Sequence, residues 1–151
     1  MHILKEGEMI NNERELIGRY ISQIHRKGSS FITKEISKFG IGSGQIMFLM
    51  QLYKKDGISQ EELSENLKID KGTTCRAIKK LEEEEFLIRV KDENDKRAYK
   101  LYLTEKSKDM EKNIKSVLYE WEKNISKELL QEEVDVLLTV LKKICISQNI
   151  K

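Results

Sequence analysis

The sequence predicts a mainly α-helical chain interrupted by one small β-hairpin. Proline is absent from the 151 residues and glycine occurs only 8 times, so little in the chain breaks a helix. Apolar residues recur at spacings of three and four over most of its length. Between Phe86 and Leu103 that period gives way to alternation, the mark of paired strands.

The elements follow in order. Residues from about 11 to 37 read as a long helix, with Leu16, Ile17, Tyr20, Ile21, Ile24, Phe31, Ile32 and Ile36 at helical spacing. A second helix, about Ser43 to Lys55, carries Ile46, Met47, Leu49, Met50 and Tyr53, with turns expected at both ends from Gly40, Gly42, Gly44 and Gly57. A third opens at Ser59, where Glu62 completes a capping box: the serine oxygen takes one orphan N–H and the carboxylate reaches back to another. Leu63 and Leu67 form its apolar stripe, and a break at Lys68-Ile69 ends it. Asp70 then caps a fourth helix. Thr74, Ile78 and Leu81 lie on or near one of its faces, while Lys71, Thr73, Arg76, Lys79 and Lys80 can point elsewhere.

In the hairpin, Phe86, Ile88 and Val90 alternate with Leu87, Arg89 and Lys91. Tyr99, Leu101 and Leu103 alternate with Ala98, Lys100 and Tyr102, and the polar run Asp92 to Lys96 joins the strands. So short a hairpin must pack on something, and the helix pair before it is the nearest partner. Thr104 caps a helix to about Lys127 bearing Met110, Ile114, Val117, Trp121 and Ile125; a last helix carries Val134, Leu137, Leu138, Leu141 and Ile144.

Two short helices followed by a basic hairpin are a helix-turn-helix with a wing, an arrangement that suits duplex DNA. Thr73, Thr74 and Arg76 are the candidates to read base edges, with Gly72 in the same first turn; Lys71, Lys79 and Lys80 would hold phosphates. At the wing tip Lys96 and Arg97 point outward, Arg97 toward the minor groove, with Asp95 steadying it or an adjacent arginine.

These residues resemble the MarR family of winged-helix regulators. The family's wing motif, Asp-x-Arg followed after five residues by Leu-Thr, stands here from Asp95 through Arg97 to Leu103-Thr104. Ile58 to Ser64 resembles its first motif helix, and Ile69 to Arg76 the start of its recognition helix. Leu81-Glu82-Glu83 and Leu87-Ile88-Arg89 carry the match into the hairpin. The likeness covers residues of about 10–147 and is sharp between Gly57 and Thr104. One departure is Glu85, where the family commonly has the glycine that a left-handed helix end favours. Glu82 to Glu85 also place negative charge at the negative end of the helix dipole. Gly72 and Cys75 replace small hydroxyl residues, which leaves the base preference open.

The chain reads as one domain, residues 1–151, with a DNA-binding lobe at 43–104 and dimerisation helices at 11–37 and 105–147. Charged residues make up 36% and apolar residues 38%, so the core of one chain is too lean to cover every apolar stripe. A homodimer with intertwined ends covers them and sets two recognition helices one DNA turn apart, as the resemblance also implies. The alternative is a monomer with a self-contained bundle. The net charge is only +2, but Lys71 to Leu81 holds four basic residues and no acidic one, a local reading surface.

No run of apolar residues is long enough to span a membrane, and Met1 to Asn12 lacks the apolar core of a signal peptide, so a cytoplasmic protein is expected. No enzyme motif, cofactor fingerprint or metal-ligand spacing involving His2 or His25 occurs, which argues against catalysis and against a bound cofactor. The resemblance implies an effector crevice that Ile24, His25, Met47 and Met50 could line, for a small aromatic or phenolic anion. Cys75 reads either as a packing residue between the motif helices or as a redox-sensing thiol. A winged-helix protein–protein adaptor is a further alternative.

Overall fold

The computed structural model describes residues 16–150. Among them are six helices and one hairpin: α1 (Ile17–Ser37), α2 (Ile46–Lys54), α3 (Gln60–Leu67), α4 (Lys71–Glu83), β1 (Leu87–Lys91), β2 (Tyr99–Leu103), α5 (Glu105–Ser126) and α6 (Gln131–Ser147). The expected start of the first helix near residue 11 lies outside the described residues. The chain divides into two compact units, one ending at Val117 and the other beginning at Leu118.

The first unit holds the core. Phe48, Leu49 and Leu52 of α2, Leu63 of α3, Ile78 and Leu81 of α4, Leu87 and Leu101 of the hairpin and Ile114 of α5 are all buried in it. The second helix begins at Ile46 rather than Ser43, because Gly40 takes a positive φ and Gln45 N–H turns back to the Gly42 carbonyl.

Caps set the helix-turn-helix. Ser59 Oγ accepts from Glu62 N–H at 3.0 Å, as expected. The other half of the capping box does not form: Glu62 pairs instead with Lys55 Nζ at 2.7 Å, a charged donor that makes a stronger bond than a neutral backbone N–H. Lys68 closes α3 in the left-handed conformation, φ +52, with Ile69 N–H bonded to the Ser64 carbonyl.

The antiparallel strands pair Leu87 with Leu103, Arg89 with Leu101 and Lys91 with Tyr99. Leu87 and Leu103 are buried, whereas Ile88 and Val90 are exposed. The apolar set Phe86, Ile88 and Val90 is therefore not one inward face, since Phe86 precedes the strand and fills the core from the turn. The hairpin docks on the residues before α3: Leu101 N–H donates to Ile58 O at 2.9 Å and Gly57 N–H to Leu101 O at 2.8 Å. Asp56 Oδ1 also accepts from Leu103 N–H at 2.9 Å.

The end of α4 is strained and braced. Glu85 takes φ +59, a left-handed conformation that side chains other than glycine adopt at a cost. Its carbonyl accepts from Thr104 Oγ1 at 2.7 Å, and Lys106 Nζ donates to Glu84 O at 2.8 Å while lying over the Phe86 ring. This lysine brings positive charge to the negative end of the helix, offsetting Glu82 to Glu85. Ser107 Oγ donates to Phe86 O, and Tyr53 donates to Ser107 O at 2.6 Å, so α2, α5 and the α4–β1 turn meet at one buried node.

Apolar surface remains uncovered in each unit. On α1, Ile17, Tyr20, Ile21 and Ile24 are exposed, Ile17 by 68%. In the second unit α6 buries no residue, and Val136, Leu137, Val140 and Leu141 stand open along it.

Candidate nucleic-acid interface

Asp70 organises the start of α4. One carboxylate oxygen accepts from Thr73 N–H at 2.8 Å and the other from the Thr73 hydroxyl at 2.7 Å. Those two bonds, with the nearby Arg76 charge, hold the Asp70 carboxyl below its ordinary range. The Thr73 oxygen in turn accepts from Arg76 Nη2 at 3.0 Å.

Arg76, Lys79, Lys80, Lys71 and Gly72 are exposed along α4, available to a partner. Two of the lysines already have acidic neighbours: Lys71 lies 3.2 Å from Glu61 and Lys79 lies 3.8 Å from Glu83. Both pairs are solvent-exposed and weak, and phosphate oxygens compete for the same ammonium groups. Arg76 has no carboxylate ion-pair partner among the described residues.

Thr74 corrects the sequence reading. Its side chain is fully buried and its hydroxyl has no hydrogen-bond partner, so it cannot present itself to a base edge. It shares the helical phase of Ile78 and Leu81, and that phase turns it into the core. Cys75, one position on, is exposed, which removes the packing role between the motif helices.

At the wing tip Asp92 Oδ1 accepts from Asn94 N–H at 2.9 Å and Asp95 Oδ1 accepts from Arg97 N–H at 3.0 Å. Asp95 thus shapes the turn through the backbone and leaves the Arg97 guanidinium free of an ion pair among the described residues. Lys96 and Arg97 are exposed. Lys71, Thr74, Asp95 and Arg97 line one cleft of about 270 Å³, together with Ser59 and Tyr99. The recognition-helix start and the wing arginine therefore open on the same side of the lobe.

Sequence reasoning missed the fork from Arg89 to Glu82, which lie in the family match with nothing to mark them as partners, and the hydroxyl link between Thr73 and Arg76, whose only signal is the i,i+3 spacing. Of the proposed crevice residues, Ile24, His25 and Met47 are exposed and Met50 packs partly against the core.

Comparison with known proteins bears on this surface. Residues 41–99 match the MarR family model. The HTH-type transcriptional regulator BilQ of Clostridium symbiosum is 33% identical over 126 residues, 83% of this chain and 88% of that protein. The crystal structure of a MarR transcriptional regulator from Methanosarcina mazei Go1 is 42% identical, with a TM-score of 0.80 over 91% of this chain and all of that one. A MarR family regulator from Listeria monocytogenes, solved with a 26mer DNA, is 31% identical with a TM-score of 0.77, covering 90% of this chain and 89% of that one.

Proposed function

The chain belongs to the MarR family of transcriptional regulators, DNA-binding proteins and not enzymes, and from that premise we propose that it acts as a homodimeric, ligand-responsive repressor on a pseudo-palindromic operator. The observation that carries the reading is the shared cleft of Lys71 and Arg97, because one surface then offers a helix to the major groove and an arginine to the flanking minor groove. Gly72, Thr73 and Arg76 face the bases, Lys79 and Lys80 the phosphates, and Lys96 with Arg97 the wing contact, held by Asp95.

The exposed apolar faces of α1 and of α6 each support a second copy as cover, since stripes of that extent are uncommon on a monomer. In this reading Ile24, His25, Met47 and Met50 line a crevice that such a copy would enclose, and a small aromatic or phenolic anion there would alter the distance between recognition helices. A DNA-binding role, with no helix among the described residues long and apolar enough to cross a membrane, supports a cytoplasmic protein. Exposed Cys75 supports a second reading, a thiol whose oxidation on the recognition helix weakens binding.

The test is a gel-shift titration of the purified protein on the DNA upstream of its own gene, beside light scattering at low micromolar concentration. Specific retardation by a dimer is expected. Binding no tighter than to random duplex, or a stable folded monomer, would overturn the reading. A Cys75→Ser variant separates the two regulators: release by peroxide from wild type alone selects the thiol.

A further inference from the structure

We propose that Thr73 is a positioning residue for base readout: anchored by Asp70, its hydroxyl holds the Arg76 guanidinium in the orientation that reads a guanine in each half-site. The inference rests on the proposed operator binding and goes beyond it, because it moves Thr73 from reading DNA to aiming the residue that does.

The hydrogen-bond inventory carries the argument. A threonine hydroxyl has one proton to donate and two lone pairs. The proton goes to Asp70 Oδ2 at 2.7 Å, and one lone pair takes Arg76 Nη2 at 3.0 Å. The donor is spent, so the hydroxyl cannot donate to a base while the chain stands. Asp70 is itself fixed by the Thr73 N–H at 2.8 Å, so the anchor is the helix cap and not a free side chain.

Arginine bonds guanine through two parallel N–H groups aimed at O6 and N7. Its two terminal nitrogens carry four protons, and the bond to Thr73 uses one, on Nη2. Three remain, two on Nη1 and one on Nη2, so each nitrogen still has an N–H for the base. An exposed arginine otherwise samples many rotamers, and restraining it before binding reduces the ordering required on the DNA.

Gly72 supplies an independent observation. A Cβ at this position would stand 3.3 Å from Asp70 Oδ1 and 3.6 Å from Arg76 Nη1. The guanidinium therefore lies back along the first turn of α4, over the one residue without a side chain. Any larger residue at 72 would crowd the anchor.

The experiment compares wild type, Thr73→Val, Thr73→Ser and Arg76→Ala. Each is equilibrated with a random duplex pool and then titrated on the selected operator, on its single-base variants and on non-cognate duplex. Thr73→Val keeps the shape and the backbone cap and removes only the hydroxyl. It is expected to reduce the preference for guanine at the Arg76 position by about tenfold. Non-cognate affinity and thermal midpoint should stay near wild type, and Thr73→Ser should restore the preference. Arg76→Ala should abolish preference at that same position. Unchanged preference in Thr73→Val, or a change at a position that Arg76→Ala leaves alone, overturns the proposal. Equal losses on cognate and non-cognate duplex overturn it as well. If Arg76→Ala shifts no preference while wild type selects a sequence, the relay fails and operator binding stands. If wild type selects no sequence, operator binding fails and takes the relay with it.

Discussion

Arg89 Nε donates to Glu82 Oε2 at 2.8 Å, and Arg89 Nη2 lies 2.8 Å from the same oxygen as an ion pair. The fork ties the last turn of the recognition helix to the first strand of the wing, and the guanidinium also lies 5.2 Å from the Tyr99 ring on the second strand. Both side chains are about a third exposed, at 30% and 35%, so the pair gains from geometry more than from a low dielectric.

Glu82→Gln should therefore cost about 1 kcal/mol of stability at low salt and less at high salt. Urea titrations at two ionic strengths measure it. Amide exchange should quicken in the hairpin. A loss independent of salt would mean that the contact is steric rather than ionic.

Replacing Glu85 by glycine should stabilise the protein by about 1 kcal/mol. The left-handed φ of +59 would then carry no penalty from a Cβ. The backbone bonds through Thr104 Oγ1 and Glu82 O do not need the glutamate side chain and would persist. A urea midpoint that fails to rise would show that the conformation costs nothing here.

These two sites differ in how far the sequence disclosed them. Glu85 was legible, because a family glycine position and a chain of glutamates both point to an awkward helix end. The fork was not, since two charged residues at a separation of seven across a turn look like any solvated pair. Helix phase proved a better guide than residue type. Thr74 has the chemistry of a base reader and the phase of Ile78 and Leu81, and the phase decides its burial. Cys75 has the chemistry of a buried residue and the phase of an exposed one. The strand phase was ambiguous for a local reason: Phe86, Leu87 and Ile88 are three consecutive apolar residues, and alternation cannot say which two turn inward. The capping box at Ser59 was half right, because a sequence window around α3 does not show that Lys55 competes for Glu62.

Thr74→Val tests the corrected position. The hydroxyl is buried without a partner, and a methyl of similar volume removes that unmet polar group. Stability should be unchanged or rise by up to about 1 kcal/mol. Operator affinity and base preference should match wild type. A loss of preference at one base would show that Thr74 does reach the groove.

Tyr53 makes stability depend on alkaline pH. Burial first, and the Glu111 carboxylate second, push its phenol well above the ordinary tyrosine value of about 10. The folded state thus holds the phenolic proton more tightly than the unfolded chain does. That contribution is fully present below the unfolded value and is lost as pH rises toward the folded one. Tyr53→Phe removes the titration and the bond to Ser107 O. At neutral pH it should cost about 1 kcal/mol for the hydrogen bond, which the helical carbonyl partly recovers through its own backbone partner. Between pH 10 and 11 wild type should lose stability faster than the variant, and the gap between them should narrow. Chemical denaturation of both proteins across that range provides the measurement. Parallel curves would mean that Tyr53 ionises as readily in the folded protein as in the unfolded chain, and that the node joining α2 to α5 does not shield it.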